Sequence, residues 1–220
     1  MQTFSPVLIS NMALSNIGIG QEIGDLLERS GPARACNLWY EIARDLALSS
    51  FEWPFATKQV ALALYEEDPN TEWRYSYHYP DSCVIFRRII TGCLPEVRSV
   101  PFKLTNDDAQ GILIWTNEQE AIGEMTGAFE NSGLWAAAFA SAVAWLLAER
   151  IAPKLQVDRS RQLDATGYMD KALMQAKGIQ SQEMAHAPRP PAASVQARNG
   201  CLLYSHQRGN WRSFPDPLSP

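Results

Sequence analysis

The residues of this chain whose types could support catalysis or metal binding are few and widely spaced. The histidines and cysteines are His78, His186, His206, Cys36, Cys83, Cys93 and Cys201. The cysteines form no CxxC pair, which is the spacing typical of zinc and redox sites. Two of the histidines lie in a proline-rich segment, which cannot hold side chains to the fraction of an ångström that catalysis requires. We therefore expect no catalytic residue, no metal site and no bound cofactor.

Glycines and carboxylates form two further patterns that could serve chemistry. Gly18, Gly20 and Gly24 have almost the spacing of a dinucleotide-binding loop. The third glycine, however, comes one residue late, and a predicted helix precedes the loop where the motif needs a strand. A helix end followed by a turn explains these glycines better. The acidic runs 66–68 and 107–108 lie in predicted turns, which favours solvated loop tips, although the sequence leaves a general acid/base pair open.

Composition and charge limit the class of protein. The chain has 220 residues, of which 46% are hydrophobic, so it can bury a core. Its net charge of −5 and isoelectric point near 5.3 argue against a protein that mainly grips phosphate backbones. No basic residue precedes Arg29, so we expect the first segment to belong to the fold and not to a secretory signal. The most apolar stretch, 133–148, is too short to cross a bilayer and predicts a buried helix.

Four segments have helical periodicity, namely 6–17, 32–50, 133–152 and 159–182. Ser5 and Pro6 are typical of a helix start, and Gly18 is typical of a helix end. In the second segment one face carries Cys36, Trp39, Ala43 and Leu46. In the fourth segment one stripe carries Ala165, Met169, Ala172, Leu173 and Ala176. These faces are expected to point into a shared core.

Between the second and third helices the pattern changes to the alternation of β-strands. Candidate strands are 57–64, 72–79, 83–90, 98–104, 111–116 and 119–125. Strands at this spacing without intervening helices predict an antiparallel sheet or a small sandwich. The predicted fold class is therefore α+β, with an antiparallel helical bundle (1–56 and 131–185) and an inserted antiparallel β module (57–130).

One predicted strand alternates aromatic and polar side chains. Its aromatic residues are Trp73, Tyr75, Tyr77 and Tyr79, and Arg74, Ser76 and His78 fall on the opposite face. Such a face could stack nucleic-acid bases. The acidic net charge favours a different interpretation, in which the aromatic residues fill a sandwich core with a subunit contact at its edge.

The last segment, 186–220, contains six prolines and no useful periodicity, and it predicts an extended C-terminal arm. Four arginines against Asp216 give the arm a charge of +3, so residues 1–185 carry −8 (−5 minus +3). The arm also holds large apolar groups that have no core of their own. We expect these side chains to anchor the arm on a partner. The candidate partner-binding residues are Arg198, Leu202, Leu203, Tyr204, Arg208, Trp211, Arg212 and Phe214.

The order of motifs along residues 5–183 resembles a known family, the head-to-tail adaptors of short-tailed bacteriophages of the tail tubular protein A type. The resemblance depends on the run from Asn11 to Gly18, Ala35-Cys36, Tyr40, Arg44-Asp45, the run from Trp53 to Ala56, the run from Tyr79 to Cys83, Thr116-Asn117, Trp135, the run from Leu147 to Ala152, Tyr168, Ala172 and Ala176. Each fragment is short, and the order and spacing of the fragments carry the specificity. No motif covers the arm.

The resemblance implies a non-enzymatic virion protein of the phage neck, assembled in the host cytoplasm. Adaptors of this family are similar in having a helical bundle with an inserted β domain. They form a ring of twelve copies beneath the portal protein, above the tail nozzle and tail fibre proteins, and double-stranded DNA passes through the lumen without specific binding. No membrane is involved. The portal is then the expected partner of the arm.

Two other functions stay open at this point. A tail-associated cell-wall hydrolase would need a cleft with paired carboxylates or a Cys/His pair. A nucleic-acid-binding module that uses the aromatic strand would bind DNA tightly and with a steep dependence on salt.

Overall fold

The computed structural model describes residues 3–90, 100–129 and 131–184. Within these ranges the chain is a mixed α+β protein with four α-helices and two antiparallel sheets. The helices are α1 (Pro6–Asn16), α2 (Gly31–Ser49), α3 (Ala137–Ile151) and α4 (Arg159–Met184), and the strands are β1 (Thr57–Ala61), β2 (Leu64–Glu67), β3 (Tyr75–His78), β4 (Cys83–Ile90), β5 (Phe102–Asp107), β6 (Gly111–Thr116) and β7 (Ile122–Gly127).

Local capping signals set the first two helices. The Ser5 hydroxyl accepts a hydrogen bond from the Leu8 backbone N–H at 3.1 Å, and Ser30 caps α2 in the same way through Ala33 at 3.2 Å. Each cap satisfies a backbone N–H that has no partner inside the helix. Gly18 ends α1 with φ of +77°, a conformation that glycine adopts without steric cost. The predicted start and end of the first helix are confirmed.

Helix α3 is the centre of the helical part. It packs against α1, α2 and α4, and most of its side chains are buried, as expected from its apolar sequence. The Trp53 ring meets the Phe139 ring edge-on at 4.7 Å, and the Trp53 indole N–H donates to the Ala47 carbonyl at 2.8 Å. Burying a large apolar side chain such as Phe139 contributes about 1.5–3 kcal/mol. Trp53 thereby fixes the exit of α2 against the start of α3.

The strands form a three-stranded sheet in the order β1-β7-β4 and a four-stranded sheet in the order β2-β3-β6-β5. A second hydrophobic cluster joins them, with Tyr77 and Ile114 from one sheet and Phe86 and Met125 from the other. Phe86 also packs edge-on against Phe102 of β5 at 5.0 Å. Residues of both sheets therefore share one hydrophobic cluster.

Some predicted boundaries were wrong. The predicted strand 57–64 is two strands, because the chain leaves the first sheet after Ala61 and enters the second at Leu64. No glycine or proline marks this change; Leu62 is held by its N–H, which donates to the Ala121 carbonyl at 2.9 Å. The strand predicted at 98–104 is β5, which begins at Phe102. The third helix begins at Ala137, after a short 3₁₀ turn at Ser132–Leu134.

The predicted buried face of α2 was partly wrong. Cys36 and Ala43 are buried and Trp39 is half-buried, but Leu46 is exposed. The buried side of α2 consists largely of alanines, which let the helix axis approach α3 closely. In α4 the predicted stripe is confirmed, with Ala165 and Ala176 fully buried against α3. Among the described residues, no helix has the length and apolarity needed to span a membrane.

Candidate functional site

The junction between α2 and the β strands is built around Arg87 of β4. One guanidinium nitrogen, Nη2, donates to the carbonyls of Leu48 at 3.4 Å, Ser49 at 3.2 Å and Phe51 at 2.7 Å. Its Nε donates to Thr126 Oγ1 at 3.1 Å. The last carbonyls of a helix have no donors within the helix, and a cation there also offsets the helix dipole. Arg87 therefore ties the end of α2 to the three-stranded sheet.

Two carboxylates and one arginine form an ionic cluster beside this junction. Arg88 Nη2 lies 2.9 Å from Glu52 Oε1 and also contacts Glu124 Oε1. Gln59 Nε2 donates to the other oxygen of Glu124 at 3.3 Å. The Glu124 side chain is only 6% exposed. Burial raises the pKa of Glu52, and the nearby Arg88 cation opposes that rise.

The ionic cluster brings two carboxylates together and is therefore a candidate for acid/base chemistry. In glycosidases, the two carboxyl groups lie roughly 5–9.5 Å apart with the sugar between them. Here Glu52 and Glu124 bind the same guanidinium, so Arg88 stands where a substrate would have to lie. The cluster is suited to holding β4 and β7 to the segment after α2. Sequence reasoning missed it, because its members are far apart in the chain and belong to no motif.

Three of the four aromatic residues of the predicted strand, Tyr75, Tyr77 and Tyr79, belong to the second hydrophobic cluster, whereas Trp73 lies before β3 and outside the cluster. Tyr77 is fully buried, and its hydroxyl donates to the Glu118 carbonyl at 2.8 Å. Tyr79 packs near Phe86, with 6.3 Å between the ring centroids. Ser76, on the opposite face of β3, is also buried. A buried Tyr77 cannot stack on a base, so the burial of this strand favours a hydrophobic core over a nucleic-acid surface.

The remaining candidates for chemistry are dispersed. The His78 ring contacts Tyr65 edge-on at 5.1 Å. Cys36 is a buried free thiol and Cys83 is partly buried, while Cys93, Cys201, His186 and His206 lie outside the described residues. Within residues 3–90, 100–129 and 131–184, no three histidine, cysteine or carboxylate side chains come together in a group that could hold a metal ion.

An open groove of about 300 Å³ lies where the end of α1 meets α3 and α4. Trp145 and Tyr168 stack along it at 4.9 Å, and Arg161 Nη1 donates to the Ile17 carbonyl at 3.3 Å. The guanidinium lies directly over Gly18, where a Cβ atom would come within 2.0 Å of Nη1. The absence of a Cβ at Gly18 therefore allows both the left-handed backbone conformation at the end of α1 and the close approach of the Arg161 guanidinium.

Two helices present apolar side chains that no described residue covers. On α2 these are Leu38, Ile42 and Leu46, spaced four residues apart and called the α2 row; Leu38 is 55% exposed. On α4 they are Leu163 and Met174, and Met174 is 74% exposed. Gly167 and Gly178 share that face and have open space around them, and these four residues are called the α4 row. Residues four, seven or eleven positions apart lie on one side of a helix, so each row occupies one side of its helix. The exposed Asp170 lies on the same side as the α4 row, between Leu163 and Met174.

The predicted partner-binding residues of the arm, from Arg198 to Phe214, lie outside the described residues, so their role stays a prediction. No protein-family model matches the chain, and a search of curated proteins finds no match either.

Proposed function

We propose that this chain is a structural ring subunit, the head-to-tail adaptor that joins portal to tail in a short-tailed phage. The observation that carries the proposal is that the α2 row and the α4 row are exposed on two separate helices. Neither row belongs to the buried core of the chain. Exposed apolar side chains that group on one side of a helix, with polar residues around them, are typical of protein contact sites. Two separate rows suit a subunit that has a neighbour on each side.

The positions of the family-like motifs support this proposal. Asn11 exchanges two hydrogen bonds with the backbone of Ile23, at 2.9 and 3.0 Å, and so fixes the loop after α1. Trp53 is fully buried between α2 and α3, and Tyr168 stacks on Trp145. The matched residues thus hold the framework together, as expected if the resemblance reflects a shared fold. All of them lie in the part of the chain that resembles the family.

The proposed architecture is a helical bundle, 1–56 and 131–185, with a β sandwich inserted at 57–130 and an arm at 186–220. Helices α1 and α2 precede the strands, and α3 and α4 follow them. Arg87 and the ionic cluster join the two parts. In the ring, the bundle would contact neighbouring copies and the portal, and the arm would extend to the portal or to an adjacent subunit.

Charge supports passage of DNA without tight binding. Residues 1–185 carry −8 (−5 minus +3 for the arm), and acidic walls repel phosphates and offer little release of counterions. Asp107 and Asp108, at the end of β5 and the turn after it, are candidates for such a wall. A ring whose lumen is dominated by arginine and lysine would contradict this part of the proposal.

The alternative function is a tail-associated cell-wall hydrolase. The ionic cluster does not favour it, since the one Arg88 cation binds both carboxylates and Glu124 is buried. A zymogram with purified protein and peptidoglycan discriminates the two functions. Clearing of the gel by the native chain would overturn the structural proposal.

Electron microscopy of the purified chain mixed with the portal ring of the same phage tests the proposal directly. We expect additional ring density on one end of the portal. We expect the chain alone to be monomeric or weakly associated, because subunits of charge −8 in the body repel one another. A portal that shows no added density at saturating chain, or a stable large ring of the isolated chain in light scattering at moderate salt, would contradict this assembly.

A further inference from the structure

The α2 and α4 rows lie on two different helices, both of which pack on α3, and each row is exposed. The end of α2 meets the start of α3, where Trp53 contacts Phe139. Helix α4 follows α3 after a connection of seven residues, 152–158, and packs back along it. Both α2 and α4 are therefore antiparallel to α3, and α2 and α4 point the same way.

Charged residues flank the two rows with matching spacing and opposite signs. Arg34 and Glu41 are seven residues apart on one flank of the α2 row. Asp164 and Lys171 are seven residues apart on the opposite flank of the α4 row. All four side chains are exposed. When two parallel helices face each other, opposite flanks meet, as in a coiled coil. Such a pairing brings Arg34 to Asp164 and Glu41 to Lys171.

We propose that the α2 row of one copy packs on the α4 row of the next copy, with these two charge pairs beside the apolar contact. The occupant of each surface is thus a second copy of this chain. Gly167 and Gly178 leave room on α4 for the larger Leu38, Ile42 and Leu46 of the neighbour. In a ring of many subunits the rotation between neighbours is small, so parallel helices stay nearly parallel across the contact.

This contact is head-to-tail, because two different surfaces meet. Each added copy leaves one α2 row and one α4 row free, and growth stops only when the ring closes. A symmetric dimer, in which α2 would meet α2, would instead end at two copies. The inference rests on the proposed function, since it names the surfaces by which the ring subunit would contact its neighbours.

Charge reversal distinguishes the head-to-tail contact between α2 and α4 from a symmetric contact between two α2 helices. The full-length variants Glu41→Lys and Lys171→Glu each place like charges across every contact of their own assembly. We expect self-association to weaken by about five- to tenfold in each variant. An equal mixture should recover native affinity, because the lysine introduced in one variant meets the glutamate introduced in the other, and the reciprocal contact is the native one. Glu66→Lys on β2 and Lys154→Glu after α3 change the net charge equally and serve as matched controls.

Sedimentation velocity at concentrations up to about 1 mM detects association in the millimolar range. A zero-length carbodiimide crosslinker applied to mixed labelled and unlabelled native chains should join Glu41 to Lys171 between chains. The proposal is overturned if the native chain does not associate, if the single variants associate as the controls do, or if the mixture fails to recover. If recovery is seen but the chain adds no density to the portal, the proposed function is wrong and this contact stands.

Discussion

Replacing Gly18 with alanine tests how α1 is terminated. At this position φ is +77°, and an added Cβ would lie 2.0 Å from Arg161 Nη1 and 2.9 Å from Arg161 Cζ. The guanidinium is the far end of a flexible, exposed side chain, so it can move away. In moving, it loses its hydrogen bond to the Ile17 carbonyl. Gly18→Ala therefore acts through backbone strain and through Arg161 separately.

The magnitude follows from these two effects. A left-handed conformation costs a residue with a Cβ roughly 1–2 kcal/mol, offset by about 0.4–1 kcal/mol from the reduced freedom of the unfolded chain. Loss of the Arg161 hydrogen bond adds about 0.5 kcal/mol, the low end of the usual range because the bond is long and partly exposed. We expect the free energy of unfolding to fall by about 0.5–2 kcal/mol.

Urea denaturation monitored by tryptophan fluorescence measures this change. Gly24→Ala is the matched control, because its φ is not positive and nothing lies within 4 Å of the added Cβ. In an Arg161→Ala background, Gly18→Ala no longer brings the added Cβ against the Arg161 guanidinium, so only the backbone strain at residue 18 remains. The account of this helix end is wrong if Gly18→Ala and Gly24→Ala lower the free energy of unfolding equally. It is also wrong if Gly18→Ala has the same effect in the native and in the Arg161→Ala background.

Four further outcomes follow from the structure. Arg88→Met leaves a buried carboxylate without its cation; urea titration should show a loss of roughly 2–4 kcal/mol at pH 7, below the usual range because Arg88 is 41% exposed. Burial raises the pKa of Glu52 above its ordinary 4.5, so the native state binds the proton more tightly than the unfolded chain does. The free energy of unfolding therefore falls as pH rises through that raised pKa. Glu52→Gln should remove this decrease in urea titrations between pH 4 and 7. Burial raises the pKa of Cys36 to about 11, so mass spectrometry should find it unalkylated at pH 8 until the chain is unfolded. Removing residues 186–220 should change the free energy of unfolding by less than about 0.5 kcal/mol relative to the full-length chain. The same truncation should weaken attachment to the portal in a pull-down.

The prediction for Arg88→Met has two control variants, and each of the other three predictions has a result that would contradict it. Arg74→Met and Arg159→Met remove exposed arginines outside the junction and should change stability by less than about 0.5 kcal/mol. A native chain whose Cys36 is alkylated as fast as in urea would contradict its burial. An unchanged pH dependence in Glu52→Gln would show that its carboxyl group does not govern this range. A truncated chain that binds portal as tightly as the full chain would remove the arm from the proposal.

The amino-acid sequence by itself determined the order and type of most elements. Ser5, Pro6 and Gly18 place the ends of α1, because capping signals act within one turn and depend on little else. Alternation of residue types located the strands between α2 and α3, apart from the break at Leu62. That break carries no local signal, since it depends on which sheet each half of the segment joins.

The tertiary structure alone decided which apolar face of α2 is buried. Alanines such as Ala43 and Ala47 face α3, and the larger Leu38 and Ile42 face outward. Periodicity identifies apolar faces but does not rank them, and close approach of two helix axes favours small side chains. The Arg88 cluster was likewise beyond the sequence, because Glu52 and Glu124 become neighbours only when β4 and β7 pair beside the end of α2.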